Sequence, residues 1–257
     1  MIKQQTIGRL TKRYCTALWL IFSCWPLSAE EQLLSAEQLA AVMNLPANAS
    51  LYLECQQQQL ALIDQPIPVI RATMRYQDKA QRRCEFAIHH GLQKQQAFSF
   101  SFQIKLTNVE PNDPYWHSYL QIHSFPDEGE QWRCPIAALE SINGSLRMFN
   151  RWDLSALSDT SQTTCANQQN SMQHRTVFQG LNLIPNQWHE VEINGLMSLE
   201  DDGYLRITID QQLVADVQGP NTYNDVKPPY LKLGIYKPTS WYQQNDIVVE
   251  YRDIHLQ

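Results

Sequence analysis

The stretch "AFSFSFQIKL", Ala97 to Leu106, alternates without a break. Phe98, Phe100, Phe102, Ile104 and Leu106 fall on one side, and Ser99, Ser101, Gln103 and Lys105 on the other. A period of two over ten residues is the pattern of a β-strand that covers a hydrophobic core. Working outward, "GYLRITID" and "LVADV" predict a hairpin across Asp210-Gln211-Gln212, and "YLKLGIY" and "IVVEYRDIHL" predict two further strands. Upstream, "SAEQLAAVMNLP" predicts one short helix, with Ser35 and Gln38 at capping-box spacing and Pro46 to stop it. Many short strands, one helix and only nine glycines exclude an α/β chain and predict an all-β sandwich or barrel. The polar run Ser155–Asn170 reads as a long surface loop pinned by Cys165.

The first 29 residues have a different character. Lys3, Arg9, Lys12 and Arg13 precede a short apolar run, Tyr14–Trp25, and Leu27-Ser28-Ala29 offers a cleavage site. This predicts a secretory signal over residues 1–29 and a single domain over 30–257, secreted or periplasmic. A lipobox ending at Cys24 is the less favoured reading, because Phe22 fits it poorly. No later stretch is long and apolar enough to span a membrane. Removing those four cations leaves 16 basic against 26 acidic residues, a net charge of −10. Such a chain does not coat nucleic acid, and any polyanion must meet a locally basic groove. Four cysteines remain, which allow three pairings in an oxidising compartment. Cys55–Cys84 and Cys134–Cys165 are favoured, since each closes a loop of about 30 residues and contributes roughly 3–4 kcal/mol. No Cys-x-x-Cys spacing supports zinc, and His89-His90, being adjacent on a strand, point to opposite faces. No metal or cofactor is therefore expected at the site, and a structural calcium is left open.

Three strands carry the chemistry. "SYLQIHSF" puts Tyr119, Gln121, His123 and Phe125 on one face and Leu120 and Ile122 on the other. "YLKLGIY" puts Tyr230, Lys232, Gly234 and Tyr236 opposite Leu231, Leu233 and Ile235. "RRCEFAI" puts Arg83 and Glu85 opposite Cys84 and Phe86. Each strand alone reads as a solvated face; together they predict a polar groove lined with donors. Residues two apart on a strand lie about 6.6–7 Å apart, near the span of a sugar ring with its substituents.

In their order, the "RCE", "QIH" and "YLKLGIY" segments resemble the signature strands of jelly-roll polysaccharide lyases. The similarity runs from about Arg83 to the C-terminus. The endings "NQWHEVEI", "GYLRITIDQQLVADV" and "PPYLKLGIYK" look closest to the glucuronan lyase and heparin lyase I-like group, related to the family-seven alginate lyases. The alginate-lyase pattern has a second arginine where this chain has Ala87 and Asn-Gln where it has Lys237, which leaves the polymer open. The resemblance implies a concanavalin-like jelly-roll and β-elimination on a uronic-acid-containing polysaccharide by a monomer. It also implies that His123 and Tyr236 share the base and acid roles.

That chemistry suits the residue types. Removing the C5 proton of a uronate builds up a second negative charge beside its carboxylate, so donors must neutralise both. Gln121 and Arg83 suit this role, with Glu85 holding Arg83 in place. His123 can be neutral and basic at working pH. Lys232, with Arg147 and Lys237, can make the groove positive; Tyr230 lies on the same face, and Trp116, Tyr115 and Trp241 are candidates for stacking on sugars. The competing readings are a non-catalytic, lectin-like sandwich and a structural domain. Glycoside hydrolysis ranks third, for want of a Glu-x-Asp-x-x-Glu strand of the kind related sandwich hydrolases carry.

Overall fold

The alternation at Ala97–Leu106 is realised in strand β5 (Ala97–Thr107), where Phe98, Phe100, Phe102, Ile104 and Leu106 are all buried. The structure is a computed structural model describing residues 34–78, 80–107, 113–238 and 245–257; the expected leader, Cys24 and Trp241 lie outside the described residues. β5 belongs to a seven-stranded antiparallel sheet in the order β12 (Gln212–Gln218), β11 (Tyr204–Ile209), β10 (Trp188–Leu196), β5, β14 (Ile247–Leu256), β3 (Val69–Met74) and β2 (Leu60–Ile63). A second antiparallel sheet of seven runs β1 (Ser50–Glu54), β4 (Arg83–His89), β13 (Tyr230–Tyr236), β6 (His117–His123), β7 (Ala137–Ile142), β8 (Ser145–Trp152) and β9 (Gln173–Leu181). Strands distant in sequence pair as neighbours, β4 with β13 and β5 with β14, and the two sheets close on one shared apolar core in a jelly-roll sandwich.

Local signals carry through. The helix α1 (Ala36–Ala40) starts at a complete capping box: Gln38 N donates to Ser35 Oγ at 3.2 Å and Ser35 N donates to Gln38 Oε1 at 2.8 Å. The β11–β12 hairpin turns through Asp210 and Gln211, both at positive φ (49° and 65°), as a two-residue hairpin turn requires. Both expected disulfides form, Cys55–Cys84 and Cys134–Cys165.

One expectation fails in β6. Tyr119 does not share the outer face with Gln121 and His123; it is buried in the core, and its hydroxyl meets Ser141 Oγ at 2.8 Å. The cause is a double irregularity in pairing. Against β7, Ser118 faces Glu140 while Leu120 faces Leu139, so Tyr119 has no partner. Against β13, Ser118 faces Tyr236 and Leu120 faces Leu233, so Tyr119 is set against both Gly234 and Ile235. Such a bulge rotates one side chain out of the alternation. Gly234 absorbs the distortion at φ 140°, and a Cβ there would lie 2.2 Å from the Cys84 carbonyl oxygen. The hydroxyl of Tyr251, arriving from β14 in the other sheet, accepts from Gly234 N at 3.1 Å and lies 2.6 Å from the Tyr119 carbonyl, to which it donates.

Candidate active site

The outer faces of β4, β13 and β6 combine as the alternation demands. Arg83 lies opposite Tyr236, Glu85 opposite Gly234, Lys232 between Ala87 and Gln121, and Tyr230 opposite His123. Arg83, Gln121, His123, Tyr230, Lys232 and Tyr236 line one cleft of about 480 Å³. His123 and Tyr236 stand towards opposite ends of its floor. Between them in the register lie Gln121 and Lys232, with Gly234 pressed against the backbone of β4.

The floor is a layer of four charges. Glu54 at the end of β1 accepts from Arg83 Nη1 at 2.5 Å and from Lys232 Nζ at 2.7 Å. Those two cations outweigh the effect of burial and hold Glu54 below the usual carboxylate range. Glu85 lies deeper, only 2 % exposed, and accepts from Gln121 Nε2 at 2.7 Å. Burial pushes its carboxyl up to about 7 despite Lys232 and Arg83. The expected clamp of Glu85 on Arg83 is thus a loose one, at 3.8 Å, and Glu54 does the holding. Glu85 instead fixes the Gln121 amide. One N–H of Gln121 is used below, and the other is free to serve the cleft.

His123 stacks on Tyr230 at 5.5 Å between ring centres and meets Trp132 edge-on at 5.8 Å. Its Nδ1 faces both the N–H of Ser124 (2.9 Å) and the Ser124 carbonyl (3.1 Å). Burial, and then Lys232, push the imidazole down to about 4, so it is neutral at neutral pH. The Tyr236 hydroxyl accepts from Arg82 Nη2 at 3.0 Å, and Arg83 lies over the ring at 4.8 Å. Accepting that bond leaves the phenolic proton to be donated elsewhere.

Three expected contributors lie elsewhere. Arg147 faces Glu140 on β7 and bonds it through Nε (3.0 Å) and Nη2 (2.8 Å), outside the cleft lining. Lys237 is 1 % exposed: it follows Tyr236 by one residue and turns to the opposite side, where burial pushes it down to about 8. Tyr115 packs against the core, whereas Trp116 packs beside Tyr236 at 5.4 Å.

Glu54, Arg82, Trp132, Arg133, Pro135 and Thr164 were not anticipated. A signal for most of them was present, because both disulfides border the cleft. Glu54 precedes Cys55, whose partner Cys84 sits between Arg83 and Glu85; Trp132, Arg133 and Pro135 flank Cys134, and Thr164 precedes its partner Cys165. Among the described residues, Asp127, Glu130 and Asp225 are close enough to share a cation. The Arg133 guanidinium already bonds Glu130 at 2.9 Å and Asp225, which meets part of that charge from within the chain.

The family model for polysaccharide lyase matches residues 54–253. A search of the curated proteins finds no match. Among solved structures, the endo-β-1,4-glucuronan lyase from the fungus Trichoderma reesei is similar in fold. Its TM-score is 0.63 at 17% identity, over 83% of this chain and 92% of that one. The binding domain of botulinum neurotoxin DC, in complex with SialylT, is similar at a TM-score of 0.52 and 14% identity, over 81% of this chain and 43% of that one. The match over residues 54–253 takes in strands β4, β6 and β13 of the cleft whole, together with Glu54, and the chain belongs to the polysaccharide lyase family.

Proposed function

We propose that this lyase cleaves a uronic-acid-containing polysaccharide by β-elimination, with β-1,4-glucuronan the first polymer to test. The observation that carries the reading is the meeting of Gln121, Arg83, Lys232, His123 and Tyr236 in one cleft. Gln121, Arg83 and Lys232 bind the uronate carboxylate and stabilise the dianion formed as the C5 proton leaves. His123, neutral at neutral pH, accepts that proton; it is not the acid, because its protonated form is scarce there. Tyr236 donates its proton to the departing O4 oxygen. In glucuronate the C5 hydrogen and O4 lie on the same ring face, so both groups must act on the same side of the sugar from within the cleft. Trp132, 57 % exposed at the rim, offers a ring to a neighbouring sugar. The name of the T. reesei enzyme supports glucuronan as the polymer.

Export is part of the same proposal. Two disulfides belong to an oxidising compartment, and among the described residues no helix is long and apolar enough to cross a membrane.

The test is the ultraviolet absorbance of the unsaturated uronate product, with glucuronan, alginate, heparin and heparan sulfate offered separately. Absorbance should rise with at least one polymer and be lost in His123→Ala and Tyr236→Phe. Binding without any rise across a wide panel of uronate polymers would overturn the reading in favour of a lectin-like role.

A further inference from the structure

Glu85 carries a charge problem that the proposed chemistry makes acute. Its carboxylate is 2 % exposed, and Oε2 has no hydrogen-bond partner among the described residues. The groups around it come from five strands: Glu54 from β1, Arg83 from β4, Tyr230, Lys232 and Tyr236 from β13, Gln121 and neutral His123 from β6, and Tyr251 from β14. With both glutamates ionised, the two cations and two anions cancel. A uronate carboxylate entering this layer makes it net negative, and the developing dianion makes it more so. Buried excess charge is expensive, and the usual remedy is a change of protonation.

We propose that uronate binding is coupled to the uptake of one proton from solvent onto Glu85, which leaves Lys232 and Arg83 with an unbalanced positive charge for the substrate. The inference rests on the uronate lyase reading above. Glu85 is the acceptor because it is the deeper carboxylate and holds neither cation closely. Glu54 is 29 % exposed and makes the short bonds to Arg83 and Lys232. The resting layer is already poised for this, since burial keeps Glu85 near half-protonation around pH 7. Glu85 does not line the cleft, so it acts on the substrate through Gln121, Arg83 and Lys232 as a positioning and charge-balancing residue.

The experiment is calorimetric titration of the Tyr236→Phe protein with a glucuronan oligosaccharide, in pairs of buffers with different ionisation enthalpies. Close to one proton should be taken up at pH 8 and close to none at pH 5.5, where Glu85 already carries it. If only protonated Glu85 supports tight binding, the competent fraction drops about tenfold between pH 6 and pH 8, and affinity drops with it. Adding Glu85→Gln should abolish the uptake and flatten the pH dependence, with tighter binding than its parent at pH 8. Binding without proton uptake at pH 8 overturns this inference alone and leaves the lyase reading standing. Failure of every uronate oligosaccharide to bind overturns both. Should the protein carrying Glu85→Gln not fold, the pH series of the parent decides the matter.

Discussion

Removing the single hydroxyl of Tyr251 tests whether the active-site geometry is built from the opposite sheet. In Tyr251→Phe the ring stays among Phe86 and Phe102, so no large cavity opens. What is lost is the partner of the Gly234 N–H (3.1 Å) and of the Tyr119 carbonyl (2.6 Å), both within the bulge where the ladder bonds are missing. A buried polar group left unpaired costs about 1–3 kcal/mol, so two cost roughly 2–4 kcal/mol after partial relaxation. With a urea dependence of about 2.5 kcal/mol per M, the unfolding midpoint should fall by about 1 M. Activity should fall further than stability requires, because Tyr236 lies two residues beyond Gly234. A drop of at least tenfold in kcat/KM, measured well below the transition, is expected. Tyr119→Phe is the control. It loses only a side-chain bond to Ser141 and should cost about 1 kcal/mol. A Tyr251→Phe protein whose midpoint lies within about 0.2 M of wild type would refute the claim that this hydroxyl secures the bulge.

Further outcomes can be measured on the same protein. Gly234→Ala meets backbone at 2.2 Å at φ 140° and should destabilise by about 2–5 kcal/mol in urea unfolding, with loss of activity in whatever folds. Glu85 has a folded pKa of about 7 against an ordinary 4.5, so its contribution to stability is greatest below pH 4.5 and falls as pH rises through 7. The difference in unfolding free energy between wild type and Glu85→Gln should shift by about 3 kcal/mol across that window, and a flat difference would contradict the assigned burial. Trp132→Ala should raise KM several-fold, because the exposed ring stands at the rim, and should also lower kcat, because the same ring packs edge-on against His123. Replacing Cys134 and Cys165 by serine opens a 31-residue loop and should cost about 3–4 kcal/mol in unfolding, and kcat/KM should fall as well, because Trp132, Arg133, Pro135 and Thr164 beside this disulfide line the cleft.

The sequence by itself determined strands β4 to β6 and β11 to β14, the helix cap and the face on which Gln121, His123, Lys232, Tyr236 and Arg83 lie, and it favoured the disulfide pairing without deciding it. Those are local properties: alternation assigns a residue to one of two faces, and loop length favours one cysteine pairing over the others. Tertiary structure alone decided that Tyr119 leaves its face, because a bulge depends on the register of two partner strands and not on the strand's own pattern. It likewise decided that Glu54 clamps Arg83 and Lys232 while Glu85 is buried beneath them, and that Arg147 pairs with Glu140 instead of joining the cleft. Which carboxylate meets which cation depends on the strand order β1-β4-β13-β6, formed by segments up to 178 residues apart at the Glu54–Lys232 contact. Periodicity holds no information over such separations, and the folded sheet supplies it.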